Sequence, residues 1–204
     1  MKTLYASIFT AAALWFLMFS PWTAPAIPFW PAMTASTLLL SALATIFCRQ
    51  WLRDARPTWR GFFLGLGVAA LLWCVFWVGD KAARFLFDFA RPQVDMIYAM
   101  KGGVSPAIIA VLLLFIIGPA EEIFWRAYVQ RNLAQRWGAN RGFLAATAIY
   151  ALVHIWSGNP MLVLAALVIG ALWGLFYRLW PGQLFALIVS HAVWDTLAFV
   201  VAPF

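Results

Sequence analysis

The sequence predicts an all-α membrane protein, a polytopic transmembrane helical bundle of about seven spans with one amphipathic helix at the membrane surface. Hydrophobic residues make up 65% of the 204 residues and charged residues only 10%, whereas soluble domains carry about 25% charge. No polar stretch is long enough to fold by itself. Residues 1–204 are therefore predicted to form a single integral membrane domain.

Seven apolar segments predict the spans, because Pro, Gly and Arg separate them. Several approach the ~20 residues that a helix needs to cross a hydrocarbon core of ~30 Å, and the fifth is short. The predicted spans are residues 4–20, 32–52, 61–79, 104–129, 141–157, 160–178 and 182–202.

The first segment has a second interpretation. Residues 1–26 resemble a cleavable signal peptide, with Lys2, an apolar run and small residues near Ala24 and Ala26. The apolar run is long for a signal peptide, and Trp22 beside prolines is typical of an interfacial turn. These features favour a retained first helix.

The stretch 80–103 joins the third and fourth spans and predicts the amphipathic helix. Phe85, Leu86 and Phe89 alternate with charged residues at roughly helical spacing. This pattern is typical of a helix that lies in the membrane interface with its charged face in water.

Lysine and arginine are distributed unevenly among the connections, which predicts the orientation. Nine of the 14 basic residues fall on one side of the predicted bundle: Lys2, Arg49, Arg53, Arg56, Arg60, Arg131, Arg136, Arg141 and Arg178. Four others lie in residues 80–103, and Arg126 lies within a span. The N-terminus is expected in the cytoplasm and the C-terminus outside, with the chain in the plasma (inner) membrane. Topology thus explains the net charge of +7, and no nucleic-acid partner is expected; the oligomeric state is left open.

Cysteine and tryptophan carry weaker signals. Cys48 and Cys74 fall in apolar spans, without the spacing of a zinc site or a disulfide framework. Several tryptophans near span ends are typical of an aromatic belt at the membrane surface. They are Trp15, Trp22, Trp30, Trp59, Trp156 and Trp180.

Ionisable residues within spans are the candidate functional residues, since each costs about 2.5–3.5 kcal/mol on insertion scales. Both histidines of the chain are among them. The six are Glu121, Glu122, Arg126, His154, His191 and Asp195. Distances along the helices from Arg131, Arg141 and Pro181 place them at similar depths, roughly 15–20 Å from one membrane edge. They are predicted to form one buried polar site in the segment 118–195.

Spacing within each helix supports this site. Glu122 and Arg126 are four residues apart and can pair, as can His191 and Asp195. The Tyr150–His154 pair has the same spacing, with a tyrosine hydroxyl available as a donor.

The residue types leave the chemistry open. Glu121, His154, His191 and Asp195 suit zinc with an open coordination position, and equally suit a metal-free water activated by a glutamate base. Structural ion pairs or a proton path through a carrier are the alternatives. Residues 1–103 contain no buried charge that mirrors the cluster, which disfavours a carrier built from repeats.

Three motifs carry a resemblance to a known family. Glu121-Glu122-Ile-Phe-Trp-Arg126 fits EExxxR, Tyr150-Ala-Leu-Val-His154 fits FxxxH, and His191-Ala-Val-Trp-Asp195 fits HxxxN/D. In this order they resemble the CPBP family (Abi, or CAAX protease and bacteriocin processing) of intramembrane endopeptidases. Tyr150 stands where Phe is usual, and Asp195 replaces the frequent Asn.

The resemblance implies hydrolysis of a peptide bond in a membrane-anchored or lipidated protein or peptide. It implies Glu121 as general base assisted by His154, with Glu122 and Arg126 as a supporting pair. His191 and Asp195 would complete a metal site or stabilise the oxyanion. A non-enzymatic membrane protein, such as a proton-coupled carrier or a bacteriocin-immunity factor, is the alternative.

Overall fold

Eight helices account for most of the chain in the computed structural model, which describes residues 2–204. They are α1 (Lys2–Phe19), α2 (Phe29–Phe47), α3 (Trp59–Leu86), α4 (Ala90–Ala99), α5 (Pro106–Trp137), α6 (Ala139–Leu152), α7 (Pro160–Leu179) and α8 (Pro181–Val201). Single helical turns lie between them at Ala24–Ala26, Trp51–Asp54 and Ile155–Ser157. Over these residues there is no strand, which confirms the predicted all-α class.

Six of the helices, α1, α2, α3, α5, α7 and α8, are long and apolar enough to cross a membrane. This confirms the polytopic bundle and makes the chain an integral membrane protein. The predicted span 141–157 differs, because its helix α6 has only 14 residues. At 1.5 Å per residue α6 is about 21 Å long, short of the ~30 Å core. Gly138 and Gly158, both at positive φ, lie beyond its two ends.

The predicted amphipathic stretch 80–103 is divided in two. Its first residues, through Leu86, continue α3, which ends at Phe87 in extended backbone (φ −138°, ψ 114°). Only Ala90–Ala99 forms a separate helix, and Gly102 at positive φ turns the chain into α5. The sequence pattern alone did not show this break, because charged and aromatic residues continue across it.

α5 departs from regular α-helical geometry in two places. Leu113–Ile117 and Ile123–Gln130 form π-helical turns on either side of Gly118–Glu122. Pro119 lacks an N–H and its ring crowds the carbonyl four residues earlier, so a wider turn just before it relieves the clash. Turns of this kind occur mostly inside α-helices and often at functional sites.

Glycines allow the helices that carry the polar residues to approach closely. A Cβ on Gly118 of α5 would lie 2.9 Å from the Cα of Ala192 in α8. A Cβ on Gly170 of α7 would lie 2.8 Å from the Tyr150 ring of α6. These contacts set how near α5, α6, α7 and α8 bring their side chains.

Candidate active site

The six predicted ionisable residues are brought together from α5, the end of α6 and α8. Glu122 is 0% exposed, and Glu121, Arg126, His154 and His191 are also buried. The Asp195 side chain is 20% exposed. Their contacts divide them into two neighbouring sets.

The first set is a buried network of Glu122, Arg126, His191 and Asp195. Glu122 Oε1 lies 2.7 Å from His191 Nδ1 and 3.1 Å from Arg126 Nη1. His191 Nε2 lies 3.3 Å from Asp195 Oδ2. Both pairs predicted from the four-residue spacing therefore form, and His191 joins them across α5 and α8.

The charges of the buried network balance, which lowers the free-energy cost of burying its four ionisable side chains. Ionised carboxylates only accept hydrogen bonds, so His191 satisfies both neighbours by donating from both ring nitrogens, as imidazolium does. Two acidic and two basic groups then cancel. The His191 ring also stacks on Trp173 with ring centroids 4.0 Å apart, and the Arg126 guanidinium lies 4.8 Å from the Tyr150 ring centroid.

The second set, the cavity group, consists of Glu121, Tyr150 and His154. The Tyr150 hydroxyl donates to Glu121 Oε2 over 3.3 Å, rather than serving His154 as the spacing indicated. His154 Nδ1 instead lies 2.8 Å from the Tyr150 backbone carbonyl. Since a carbonyl only accepts, Nδ1 carries the proton of the ring.

Trp15 is a site residue that sequence reasoning missed. Its indole N–H donates to His154 Nε2 over 3.1 Å, so Nε2 is an acceptor and His154 is the neutral Nδ1–H tautomer. Trp15 is 0% exposed, so it does not belong to the predicted aromatic belt. The available signal was its place on the buried stripe of α1. The members of that stripe are Leu4, Ser7, Ala11, Trp15 and Met18.

A cavity of about 470 Å³ opens beside the cavity group. Glu121, Tyr150, His154 and Asp195 lie on its wall, which is otherwise mostly apolar and aromatic. Its volume is in the range of small-molecule and cofactor sites. Glu122, Arg126 and His191 are absent from the wall, so they lie behind the residues that face the cavity.

The four predicted zinc ligands are not arranged around a common point. Across residues 2–204, no group of three or more His, Cys, Asp or Glu is placed to hold a metal ion. A histidine binds metal through an unprotonated ring nitrogen. His154 Nε2 is unprotonated but accepts from Trp15, and both nitrogens of His191 face carboxylates. As arranged, these side chains do not fit zinc without rearrangement.

Comparison with known proteins identifies a family model that matches part of the chain. Residues 103–197 match the family model described as type II CAAX prenyl endopeptidase Rce1-like. The matched segment is a little under half of the chain and contains all three motifs, whereas Trp15 lies outside it. No curated protein and no solved structure matches the chain significantly. Residues 103–197 are therefore similar to the Rce1-like group of the CPBP family, the CAAX-type intramembrane endopeptidases, as the three motifs indicated.

Proposed function

We propose that the protein hydrolyses a peptide bond in a membrane-anchored protein or peptide, using water activated by Glu121. The observation that carries this proposal is a buried carboxylate on the wall of an apolar cavity that His154 and Asp195 also line. An acceptor within reach of bound water is the first requirement for a general base.

Glu121 would take one proton from water as the oxygen attacks the peptide carbonyl carbon. The resulting tetrahedral intermediate collapses when the C–N bond breaks, and Glu121 returns the proton to the departing amine. Each proton is accounted for without a cofactor. General acid–base catalysis of this kind contributes about 10²–10⁴-fold to a rate.

His154 would orient the water beside Glu121. Its Nδ1–H is committed to the Tyr150 carbonyl, so Nε2 is the only ring position that can accept a proton or a hydrogen bond. Trp15 occupies Nε2 in this arrangement. An incoming water would share that lone pair or displace the indole N–H.

His191 supports the site from behind the wall. It is hydrogen-bonded to Glu122 and faces Asp195, so it holds α5 and α8 in register. An ionised Asp195 cannot donate to an oxyanion. We therefore assign His191 a positioning role and place Asp195 at the edge of the substrate cavity.

The cavity favours an apolar, lipid-modified substrate. Phe29, Trp30 and Phe199 are among the aromatic residues of its wall. The description of the matched family model names a prenyl endopeptidase. An isoprenoid or acyl chain in the cavity would gain about 0.8 kcal/mol of binding free energy for each buried CH₂ group.

The test is cleavage by purified protein in proteoliposomes. Cleavage of one peptide sequence is measured in three forms, farnesylated, palmitoylated and unmodified. Each form is incubated with the wild-type protein and with Glu121→Gln. We expect wild type to cleave a lipidated peptide, Glu121→Gln to lose cleavage at least 100-fold, and EDTA to leave the wild-type rate unchanged. Cleavage by Glu121→Gln would remove it as the base, and EDTA inhibition reversed by zinc would refute the metal-free mechanism.

A further inference from the structure

The two ends of the helical bundle differ sharply in charge. We call the first the basic end, because it holds nine basic residues and a single aspartate. They are Lys2, Arg49, Arg53, Arg56, Arg60, Arg131, Arg136, Arg141, Arg178 and Asp54. Contacts confirm that separate connections meet there: Arg131 Nη1 lies 2.7 Å from Asp54 Oδ2, and Arg178 Nε donates to Asn140 Oδ1 over 2.7 Å.

The opposite end is nearly neutral and is formed by the end of α3, by α4 and by the turn that follows. It holds four basic and three acidic residues, namely Lys81, Arg84, Arg91, Lys101, Asp80, Asp88 and Asp95. Arg84 pairs with Asp80 and Arg91 with Asp95, each at 2.7 Å.

The active-site cavity lies toward the neutral end. Four of the long helices contribute wall residues from the half nearest that end, within Phe29–Met33 of α2, Val75–Ala83 of α3, Met161–Ile169 of α7 and Trp194–Phe199 of α8. α4 also contributes to the wall. The wall contains none of the nine basic residues of the basic end.

A second cavity of about 430 Å³ lies at the same end and is more polar. Asn159 and Gly102 help to line it, and Trp30 and Met100 belong to the walls of both cavities. The Trp30 indole N–H donates to the Met100 carbonyl over 3.1 Å at this shared boundary. The two cavities are thus adjacent at the neutral end.

We propose that the active-site cavity opens on the non-cytoplasmic side of the membrane, so the substrate is a lipid-anchored chain exposed on that side. Connections rich in Lys and Arg remain in the cytoplasm, which places the basic end inside and the cavity end outside. A chain anchored on the cytoplasmic side would have to cross the bilayer to reach Glu121. The substrate part of this inference rests on the proposed function, whereas the side of opening does not.

Cysteine accessibility tests the side of opening directly. In a background with Cys48 and Cys74 replaced by alanine, single cysteines are placed at Ser105 (neutral end), Ala83 (cavity wall) and Gln135 (basic end). Ser105 and Gln135 are both exposed and form a matched pair. A membrane-impermeant methanethiosulfonate reagent is applied to right-side-out and inside-out vesicles.

We expect Ser105→Cys and Ala83→Cys to react in right-side-out vesicles, and Gln135→Cys only in inside-out vesicles. The reverse pattern, or labelling of Ala83→Cys from the inside alone, overturns the inference. The labelling is repeated with Glu121→Gln, where the same pattern is expected because it needs no activity.

The substrate side is tested with a dipalmitoylated peptide added to the outer surface of each vesicle type. We expect cleavage in right-side-out vesicles and at least tenfold less in inside-out vesicles. Faster cleavage in inside-out vesicles overturns the inference. Outward labelling of Ala83→Cys without cleavage in either orientation upholds the side of opening and counts against the proposed function.

Discussion

The cavity group and the buried network are built around adjacent glutamates, yet they are held in opposite ways. Glu121 has one hydrogen bond, of 3.3 Å, and lies on a cavity wall. Glu122 is completely buried and contacts both Arg126 and His191 within 3.1 Å. One glutamate is left available for chemistry, and the other is committed to structure.

The two histidines repeat the contrast. His154 is held by neutral partners, an indole N–H and a backbone carbonyl. His191 lies between two carboxylates and on the face of Trp173. Neutral partners can be exchanged for water at small cost, whereas separating buried charges is costly. Reactivity and rigidity are thus assigned to different members of one polar cluster.

Replacing either glutamate with glutamine gives the largest expected effects on kcat or on stability. Glu121→Gln should lower kcat by about 10²–10⁴-fold and cost about 1 kcal/mol or less in stability. Glu122→Gln should cost about 3–5 kcal/mol in unfolding free energy, because it leaves Arg126 and His191 without their shared carboxylate. Urea unfolding in detergent micelles and single-turnover cleavage measure the two quantities. Equal stability losses for both variants would contradict the assignment of Glu121 to chemistry and Glu122 to structure.

Gly118→Ala should loosen the buried network while leaving the cavity group nearly intact. Its Cβ would lie 3.0 Å from the backbone nitrogen of Ala192, so α5 and α8 would move apart at a cost of about 1–3 kcal/mol. Gly67→Ala in α3 is the matched control, since no atom lies within 4 Å of its Cβ. Unfolding midpoints check this, and an equal shift for both variants would refute the close-approach role.

Trp15→Phe should lower kcat by about 2–10-fold with KM unchanged, because it removes the hydrogen bond that orients the His154 ring, worth about 0.5–1.5 kcal/mol. The control is Trp125→Phe. Trp125 is equally buried and lies 6.0 Å from Trp15 between ring centroids, but its N–H has no partner within residues 2–204. Steady-state kinetics distinguish the two. Equal losses would assign Trp15 to packing alone.

Tyr150→Phe should have the smallest effect, a change in kcat of about threefold or less. Its O–H···O distance of 3.3 Å to Glu121 exceeds the usual range of about 2.5–3.0 Å. The substitution also restores the phenylalanine of the motif. A loss above tenfold would instead make this hydroxyl part of the reaction.

Contacts within one helix were predictable from the sequence, and contacts between helices were not. Glu122–Arg126 and His191–Asp195 follow from helical spacing, and both are present. Equal depth indicated that His191 could approach the glutamates. Only packing decides that it meets Glu122, because the rotation of α8 about its axis depends on Gly118 and Ala192.

The role of α1 was not predictable for a different reason. Trp15 lies in an apolar helix, outside the segment that carries the motifs. From the sequence, a tryptophan at such a position is expected only to pack against its neighbours. Its function depends on which polar atom its N–H reaches, a property of the tertiary structure. Likewise, the break at Phe87 within the predicted stretch 80–103 depends on where α3 ends, and the charge pattern is continuous across it.

The π-helical stretch Ile123–Gln130 lets α5 hold extra chain between the glutamate pair and Arg131 without changing how its two ends face each other. An i→i+5 turn accommodates one residue more than regular helix. Deleting a single residue within this stretch would let the turn become α-helical and leave Glu121 and Arg131 near their present partners. The same deletion in a regular α-helix would rotate its two ends relative to each other by about 100°. Single-residue deletions should thus disturb the active site less in this stretch than in the regular α-helical parts of α5.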